Sequence, residues 1–375
     1  MKIRIEISTL ADNSPSGVGK YSQRLAEALD NTSEDIVGSY FNFLNRQPIP
    51  VVKLSNSLEK NSLVPQRVYA KLQSYGIALP FDVLLPKVDL TIFPNFATWS
   101  TAHSKLRATT VHDLTYMYFP ELVEEKNLAH LRRVVPRSIA KADFVITVSE
   151  SVKAELVKEF SLDPARCVVT HAPPEDSYFV LSDNEVHNKY GIPTKKFIFF
   201  IGNLEPRKNL SVLVEAYRKL PNNIKSEYSL VLAGGKGWKT EKSRASIDKA
   251  RAANENVIHI GYADQKDAAA LFQKASLFVM PSIYEGFGMP ILEAMAGGTP
   301  VVASDIPVLR EAGGDAALYA DPHDALDFRD KILSILTSES KARELNMKAK
   351  KQLVKFSWEQ NAKKIIEHTQ GLLDQ

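Results

Sequence analysis

The densest run of residues able to do chemistry covers positions 281–300, Pro-Ser-Ile-Tyr-Glu-Gly-Phe-Gly-Met-Pro-Ile-Leu-Glu-Ala-Met-Ala-Gly-Gly-Thr-Pro. It sets two carboxylates, Glu285 and Glu293, around a glycine-bearing turn. Pro290 suits the first position of a helix, and Gly297-Gly298 suit its end. The amides of Phe287, Gly288 and Met289 then fall at a helix N-terminus, where unpaired donors and a partial positive charge favour a phosphate. Glu285 stands before this helix and Glu293 inside it. One carboxylate can therefore reach a group beyond the phosphates while the other accepts hydrogen bonds from hydroxyls. A satisfied turn carboxylate and a surface glutamate are the plainer alternative, which the flanking glycines disfavour.

Two further features are weaker alone. Ser16-Gly17-Val18-Gly19 joins the first apolar run to the first helical run, and glycines there would let a ligand approach the backbone at a helix N-terminus. It is neither a complete dinucleotide fingerprint, since Ser22 stands where a third glycine would, nor a Walker loop, since Gly19-Lys20-Tyr21 lacks Ser or Thr. A tight turn is the competing explanation. His112-Asp113 follows the apolar run 108–111, at the tip of a parallel strand, where open α/β sheets place ligands. A lone histidine is otherwise more often structural, and His171 and His259 are read that way. No Asp-x-Asp triplet of the sort that holds a divalent ion occurs, so no metal is expected.

These residues need elements to hold them. Run 3–7 has a period of two, runs 90–93, 108–111 and 144–148 look like short buried strands, and 124–141 has helical spacing. The alternation restarts with 197–201, 230–233, 257–260, 277–280 and 300–303, with helical segments between. Apolar strands alternating with helices imply α/β architecture: doubly wound parallel sheets covered on both faces. The polar, turn-rich stretch 181–193 lies near the midpoint, which places domains at 1–185 and 186–356; 375 residues suit two domains.

Bulk composition excludes more than it identifies. Lys+Arg 47 against Asp+Glu 44 leaves a formal charge of +3, which indicates no nucleic-acid partner. The single cysteine, Cys167, can form neither an internal disulfide nor a zinc site. No apolar run approaches the roughly 20 residues of a membrane span, so a cytoplasmic protein is expected. Arg132, Arg133, Arg137 and Lys141 within one helical pattern would suit either an anionic lipid surface, giving peripheral contact with the inner face of a membrane, or plain solvation.

The Glu285–Glu293 stretch, together with Gly202-Asn203-Leu204-Glu205-Pro206-Arg207-Lys208-Asn209, Val231-Leu232-Ala233-Gly234 and Gly314-Asp315-Ala316-Ala317-Leu318, resembles the signature of retaining glycosyltransferase family 4. The likeness spans nearly the whole chain. It implies the GT-B fold: two Rossmann-like domains facing across a cleft, the N-terminal one binding acceptor and the C-terminal one binding a nucleotide sugar. The segment from Phe356-Ser357-Trp358-Glu359 onward, 357–375, resembles the helix that crosses back to the first domain.

Carried over residue by residue, the resemblance implies that Glu293 accepts from the ribose hydroxyls and that Glu285 faces the 3- and 4-hydroxyls of the donor sugar. Lys208, on a loop after run 197–201, would neutralise the departing diphosphate, a role in which a fixed cation supplies about 10²–10³ in rate. Many relatives carry Arg where this chain has Asn203, so Arg207 is expected to provide the second charge. Phe287, Gly288, Met289, Asn203 and Tyr262 join the donor-binding set. Gly17 and Gly19 would touch donor phosphates and acceptor, and His112 would lie near the sugar's 6-hydroxyl and anomeric centre.

The implied activity is a retaining, metal-independent and cofactor-free transfer of a hexose to a sugar or lipid-linked hydroxyl, by a front-face route that needs no nucleophilic side chain. A bacterial subgroup with a similar Gly-x-Leu-Glu-Pro-Arg-Lys-Asn stretch and His-Asp-Leu often uses GDP-mannose, which is the expected donor; UDP-glucose or another UDP-sugar is the alternative. A nucleotide-sugar epimerase and a silent sugar-nucleotide-binding protein are rivals of other classes. The incomplete glycine fingerprint disfavours a nicotinamide dehydrogenase.

Overall fold

The computed structural model describes residues 1–10, 17–43, 50–56, 58–61, 65–74, 77, 79–182, 185–235 and 237–375. Among these, β1 (Lys2–Glu6), β2 (Asp35–Phe41), β3 (Glu59–Asn61), β4 (Val88–Phe93), β5 (Ser104–Val111), β6 (Phe144–Thr147) and β7 (Cys167–Val169) form one sheet in the order β3-β2-β1-β4-β5-β6-β7. The second sheet contains β8 (Lys196–Ile201), β9 (Tyr228–Ala233), β10 (Val257–Gly261), β11 (Leu277–Met280), β12 (Val301–Ser304) and β13 (Ala317–Ala320), in the order β10-β9-β8-β11-β12-β13. Neighbouring strands pair in parallel in both sheets.

Parallel strands need crossover helices, and these bury both faces of each sheet. This is why β9 (Tyr-Ser-Leu-Val-Leu-Ala) and β11 (Leu-Phe-Val-Met) are apolar almost throughout and buried at every position. The core around them joins Ile198, Phe200, Leu230 and Leu232 to Leu213 and Tyr217 of the helix Leu210–Arg218 and to Phe328 and Ile332 of Ala325–Leu336. In each sheet the strand order reverses once, at β1/β4 and at β8/β11, and ligands of open α/β sheets bind beyond the strand ends at such points.

Four strands escape the periodicity reading. β3 and β7 have three residues each, too short to carry a pattern, and only half of the four-residue β13 (Ala-Leu-Tyr-Ala) is buried. β2 contains Gly38, a poor strand former, and an added Cβ there would lie 2.8 Å from Ile7 Cδ1 and 2.9 Å from Leu54 and Leu58 methyls. The glycine makes room for packing that only the fold creates.

The chain divides into two compact units, one of Met1–Leu114, Lys126–Ala172 and Ser357–Gln375, the other of Thr115–Glu125 and Pro173–Phe356. The division after Ala172 precedes the turn-rich stretch that suggested 185/186, because residues before that stretch are stapled to the second unit. Gln265 Nε2 reaches Glu175 and Ser177, while Gln273 Nε2 donates to the carbonyls of Tyr178 (3.2 Å) and Val180 (2.7 Å). The short segment Thr115–Glu125 joins the second unit by similar means: Trp238 Nε1 donates to Leu122 O (2.7 Å), Lys239 Nζ to Glu121 O (2.6 Å), and the rings of Tyr118 and Phe119 approach Tyr284.

The helix Trp358–Leu373 belongs to the first unit. Asn361 Nδ2 donates to His171 O (2.6 Å), Lys364 Nζ to Val169 O (3.2 Å), and Trp358 meets the Tyr21 ring at 5.6 Å. No helix among the described residues is long and apolar enough to cross a membrane.

Candidate active site

The loops after β8 and β9 touch backbone to backbone. Gly202 N donates to Ala233 O (2.9 Å) and Leu204 N to Gly235 O (3.2 Å). Gly234 sits at φ +147, and a Cβ there would fall 1.9 Å from Gly202 O, so this position accepts only glycine. From this base the β8 loop makes a single 3₁₀ turn, Pro206–Lys208, closed by Asn209 in the left-handed region at φ 52. Asn209 Nδ2 is tied to Pro322 O at 2.6 Å. Ile283 N donates to Arg207 O (2.8 Å), which joins the β8 loop to the β11 loop across the β8/β11 reversal.

Four charged side chains meet there. Glu285 receives Lys208 Nζ on Oε1 at 2.6 Å and Arg207 Nη1 on Oε2 at 2.7 Å; Arg207 Nε also donates to Glu205 Oε2 at 3.0 Å. Asn203 Nδ2 lies 3.4 Å from the other Glu205 oxygen. Burial pushes the Glu285 carboxyl up, but the charges of Arg207 and Lys208 outweigh it and hold the group at about 2. Burial pulls Lys208 below its ordinary value, with Glu285 opposing. Lys208 is therefore no solvated loop lysine: its side chain is 11% exposed and paired. Glu285 faces these cations with both oxygens, and the Ser282 hydroxyl further stabilises the charged carboxylate.

The helix beyond the turn runs Met289–Ala296, so Pro290 is its second residue rather than its first. Its cap, Gly288, has φ +104, and a Cβ there would lie 2.7 Å from Leu309 Cδ2. Phe287 is buried against Phe356, ring centroids 5.4 Å apart, which fixes the chain entering the helix. Glu293 is half-buried on this helix, and its carboxylate hydrogen-bonds the Tyr178 hydroxyl. Burial, then the Glu293 charge, pushes that phenol far above its ordinary value, so it remains a donor. Tyr262, next to Gly261 at the end of β10, is largely exposed.

Tyr178 and Glu205 join the site without being among the sequence candidates. Glu205 lies inside the Gly202–Asn209 motif, beside its two cations. Tyr178 had no local signal, because the turn Asp176–Tyr178 is placed by side chains of a helix more than eighty positions later.

The first unit holds the remaining candidates. Gly17 and Gly19 form the first turn of the helix Gly17–Asp30 rather than a loop before it, with Gly19 buried; Ser16 lies outside the described residues. His112, just past β5, bonds Pro94 O through Nε2 at 2.9 Å, and its ring meets Tyr21 and Phe96 edge-on at 5.1 and 5.6 Å. Burial lowers its pKa, with the Pro94 bond and Asp113 opposing. His259 Nε2 bonds Gly234 O at 3.0 Å, a structural role. Arg132, Arg133 and Arg137 are exposed on Glu125–Lys141. Among the described residues no group of three or more His, Cys, Asp or Glu is arranged to hold a metal ion.

Residues 182–352, which include the four-charge cluster, match the model of the Glycosyl transferases group 1 family. "O-antigen chain mannosyltransferase B" of Escherichia coli is 34% identical over 370 residues, covering 92% of this chain and 93% of that protein. The chain belongs to the group 1 glycosyl transferases. This is the retaining family 4 that the paired glutamates resemble. "Serotype-specific mannosyltransferase WbdA" of Escherichia coli is 31% identical over 239 residues, 62% of this chain but only 29% of that longer protein. Among solved structures, sucrose-phosphate synthase from Thermosynechococcus elongatus superposes with TM-score 0.73 at 18% identity, covering 100% of this chain and 99% of that one. This glycosyltransferase accordingly has the GT-B fold, with both of its Rossmann-like units accounted for.

Proposed function

We propose that this glycosyltransferase moves mannose from GDP-mannose to a hydroxyl of a sugar or lipid-linked acceptor, with retention at the anomeric carbon and without a metal ion. The observation that carries the proposal is the Lys208–Glu285–Arg207 cluster beyond β8 and β11, in a chain similar over 92% of its length to an O-antigen mannosyltransferase. Two fixed cations in a mostly buried site suit a diphosphate whose negative charge grows as the glycosidic bond breaks, because preorganised charge costs no rearrangement at that moment. The amides at Phe287, Gly288 and Met289 add uncharged donors for the phosphates. Glu293, held by Tyr178, accepts from the ribose hydroxyls, and Glu285 accepts from the sugar. A leaving-group oxygen takes the acceptor proton, so no side chain acts as nucleophile. The second unit is assigned the donor and the first unit the acceptor. Gly17, Gly19 and His112 stay with the first unit, at helix-start and strand-tip positions of the kind that serve ligands. The product belongs to polysaccharide synthesis at the inner face of a membrane, and the exposed arginines of Glu125–Lys141 suit contact with anionic lipid.

Calorimetric titration without added metal against GDP-mannose, GDP, UDP-glucose and UDP tests this. Selective binding of the guanine pair is expected. Selectivity for the uridine pair would keep the family and replace the donor, whereas binding of neither would overturn the donor-site assignment. Release of free sugar or an epimer without any acceptor would favour an epimerase.

A further inference from the structure

Glu205 is a buried carboxylate that the proposed transfer does not use. It is 4% exposed, and a buried charge is tolerated only where partners compensate its lost hydration. Its position is built from several sides. Glu205 N donates to Asn203 O at 2.7 Å, and Glu205 O accepts from Lys208 N at 3.0 Å. Gly237 supplies the space, since a Cβ there would lie 2.9 Å from Glu205 Cγ and 2.6 Å from Leu204 O. The following Pro206 fixes its own φ and stiffens the turn.

Arg207 has a long side chain that would otherwise sample many rotamers. Here its guanidinium bonds Glu205 Oε2 through Nε at 3.0 Å and Glu285 Oε2 through Nη1 at 2.7 Å, and Nη1 also lies 3.5 Å from Tyr284 O. Glu285, already shared with Lys208 at 2.6 Å, and the Tyr284 carbonyl both engage Nη1, whereas Nε is engaged by Glu205. Glu205 therefore fixes the guanidinium at an edge that the Glu285 contact does not reach.

We infer that Glu205 is a positioning residue, a carboxylate that orients the Arg207 guanidinium toward the diphosphate of the donor. This rests on the donor-site reading above. Two opposite effects make it testable: by charge alone Glu205 repels a diphosphate, and by orientation it strengthens the grip of Arg207. The inference requires that orientation win.

The test is a double-mutant cycle on the full chain, with Glu205→Ala, Arg207→Ala and the pair, read as affinity for GDP and UDP by calorimetry and as thermal melting. Glu205→Ala should weaken the preferred diphosphate about tenfold, in the range of one charge-assisted hydrogen bond. In the Arg207→Ala background the same change should cost less than about twofold, because residues acting as one unit are not additive. Glu205→Gln, which keeps an acceptor oxygen but no charge, should fall between and carries the cycle if Glu205→Ala does not fold. Tighter or unchanged binding, or a full loss that persists without Arg207, would overturn the inference. A wild type that binds neither diphosphate would instead overturn the donor-site reading.

Discussion

Lys208 Nζ stands 2.6 Å from Glu285 Oε1, a contact between residues 77 positions apart that ties the loop after β8 to the loop after β11. The pair is buried, so the lysine is part of the architecture as well as a cation for the donor. Lys208→Ala should therefore lower turnover by about 10²–10³. It should also cost about 1–3 kcal/mol of stability, since Glu285 loses one of two charged partners. Steady-state kinetics and denaturant unfolding on the same preparations check this, and a variant with unchanged turnover would remove Lys208 from the leaving group.

Two buried carboxyls should give opposite pH signatures. Glu285 is held at about 2, below its ordinary 4.5, so its contribution is complete above that value and is lost as pH falls through about 2. Glu6, at the end of β1, is pushed up to about 6 by burial, with bonds from Ser8 opposing. The folded state therefore prefers it protonated, and stability falls as pH rises from about 4.5 through about 6. Relative to wild type, Glu285→Gln should be destabilised near pH 7 by about 3 kcal/mol, a deficit that narrows toward pH 3. Glu6→Gln should be stabilised near pH 7 by about 2 kcal/mol, with no gain near pH 4. Melting curves across this range decide both.

Glu293→Ala should weaken donor nucleotide binding about tenfold, and the loss should vanish when the ligand lacks its ribose hydroxyls. Tyr178→Phe should give a smaller loss with the same dependence, because it frees the carboxylate to turn rather than removing it. Titrations with ribonucleoside and 2′,3′-dideoxyribonucleoside diphosphates check both variants. A penalty independent of the sugar hydroxyls would take Glu293 off the ribose.

Gly234→Ala should be among the most damaging single substitutions, costing more than about 3 kcal/mol or abolishing soluble expression, since its Cβ would overlap Gly202 O at 1.9 Å. Gly298→Ala is the control. It also has positive φ, +76, but no atom lies within 4 Å of the new Cβ, so it should cost only about 1–2 kcal/mol. Equal effects on melting temperature would mean that the β8 and β9 loops do not pack as described.

The strands with uninterrupted apolar runs, the α/β alternation and the helix starting near Pro290 were legible in the sequence because apolar runs and glycine or proline punctuation are local signals. The paired glutamates and the Gly202–Asn209 motif were legible for the same reason, and they pointed to the family that similarity across the chain then showed. Tertiary structure decided what depends on residues far apart in the chain. Gly38 belongs to a strand because Ile7, Leu54 and Leu58 fill the space beside it. Residues 173–182 go with the second unit because Gln265 and Gln273 hold them there. Lys208 is buried because the β11 loop lies over it and supplies a carboxylate. Spacing along a chain sets which side chains share a face of one element; which carboxylate neutralises which cation is set by how the elements are ordered in the sheet, a long-range outcome that no local window contains.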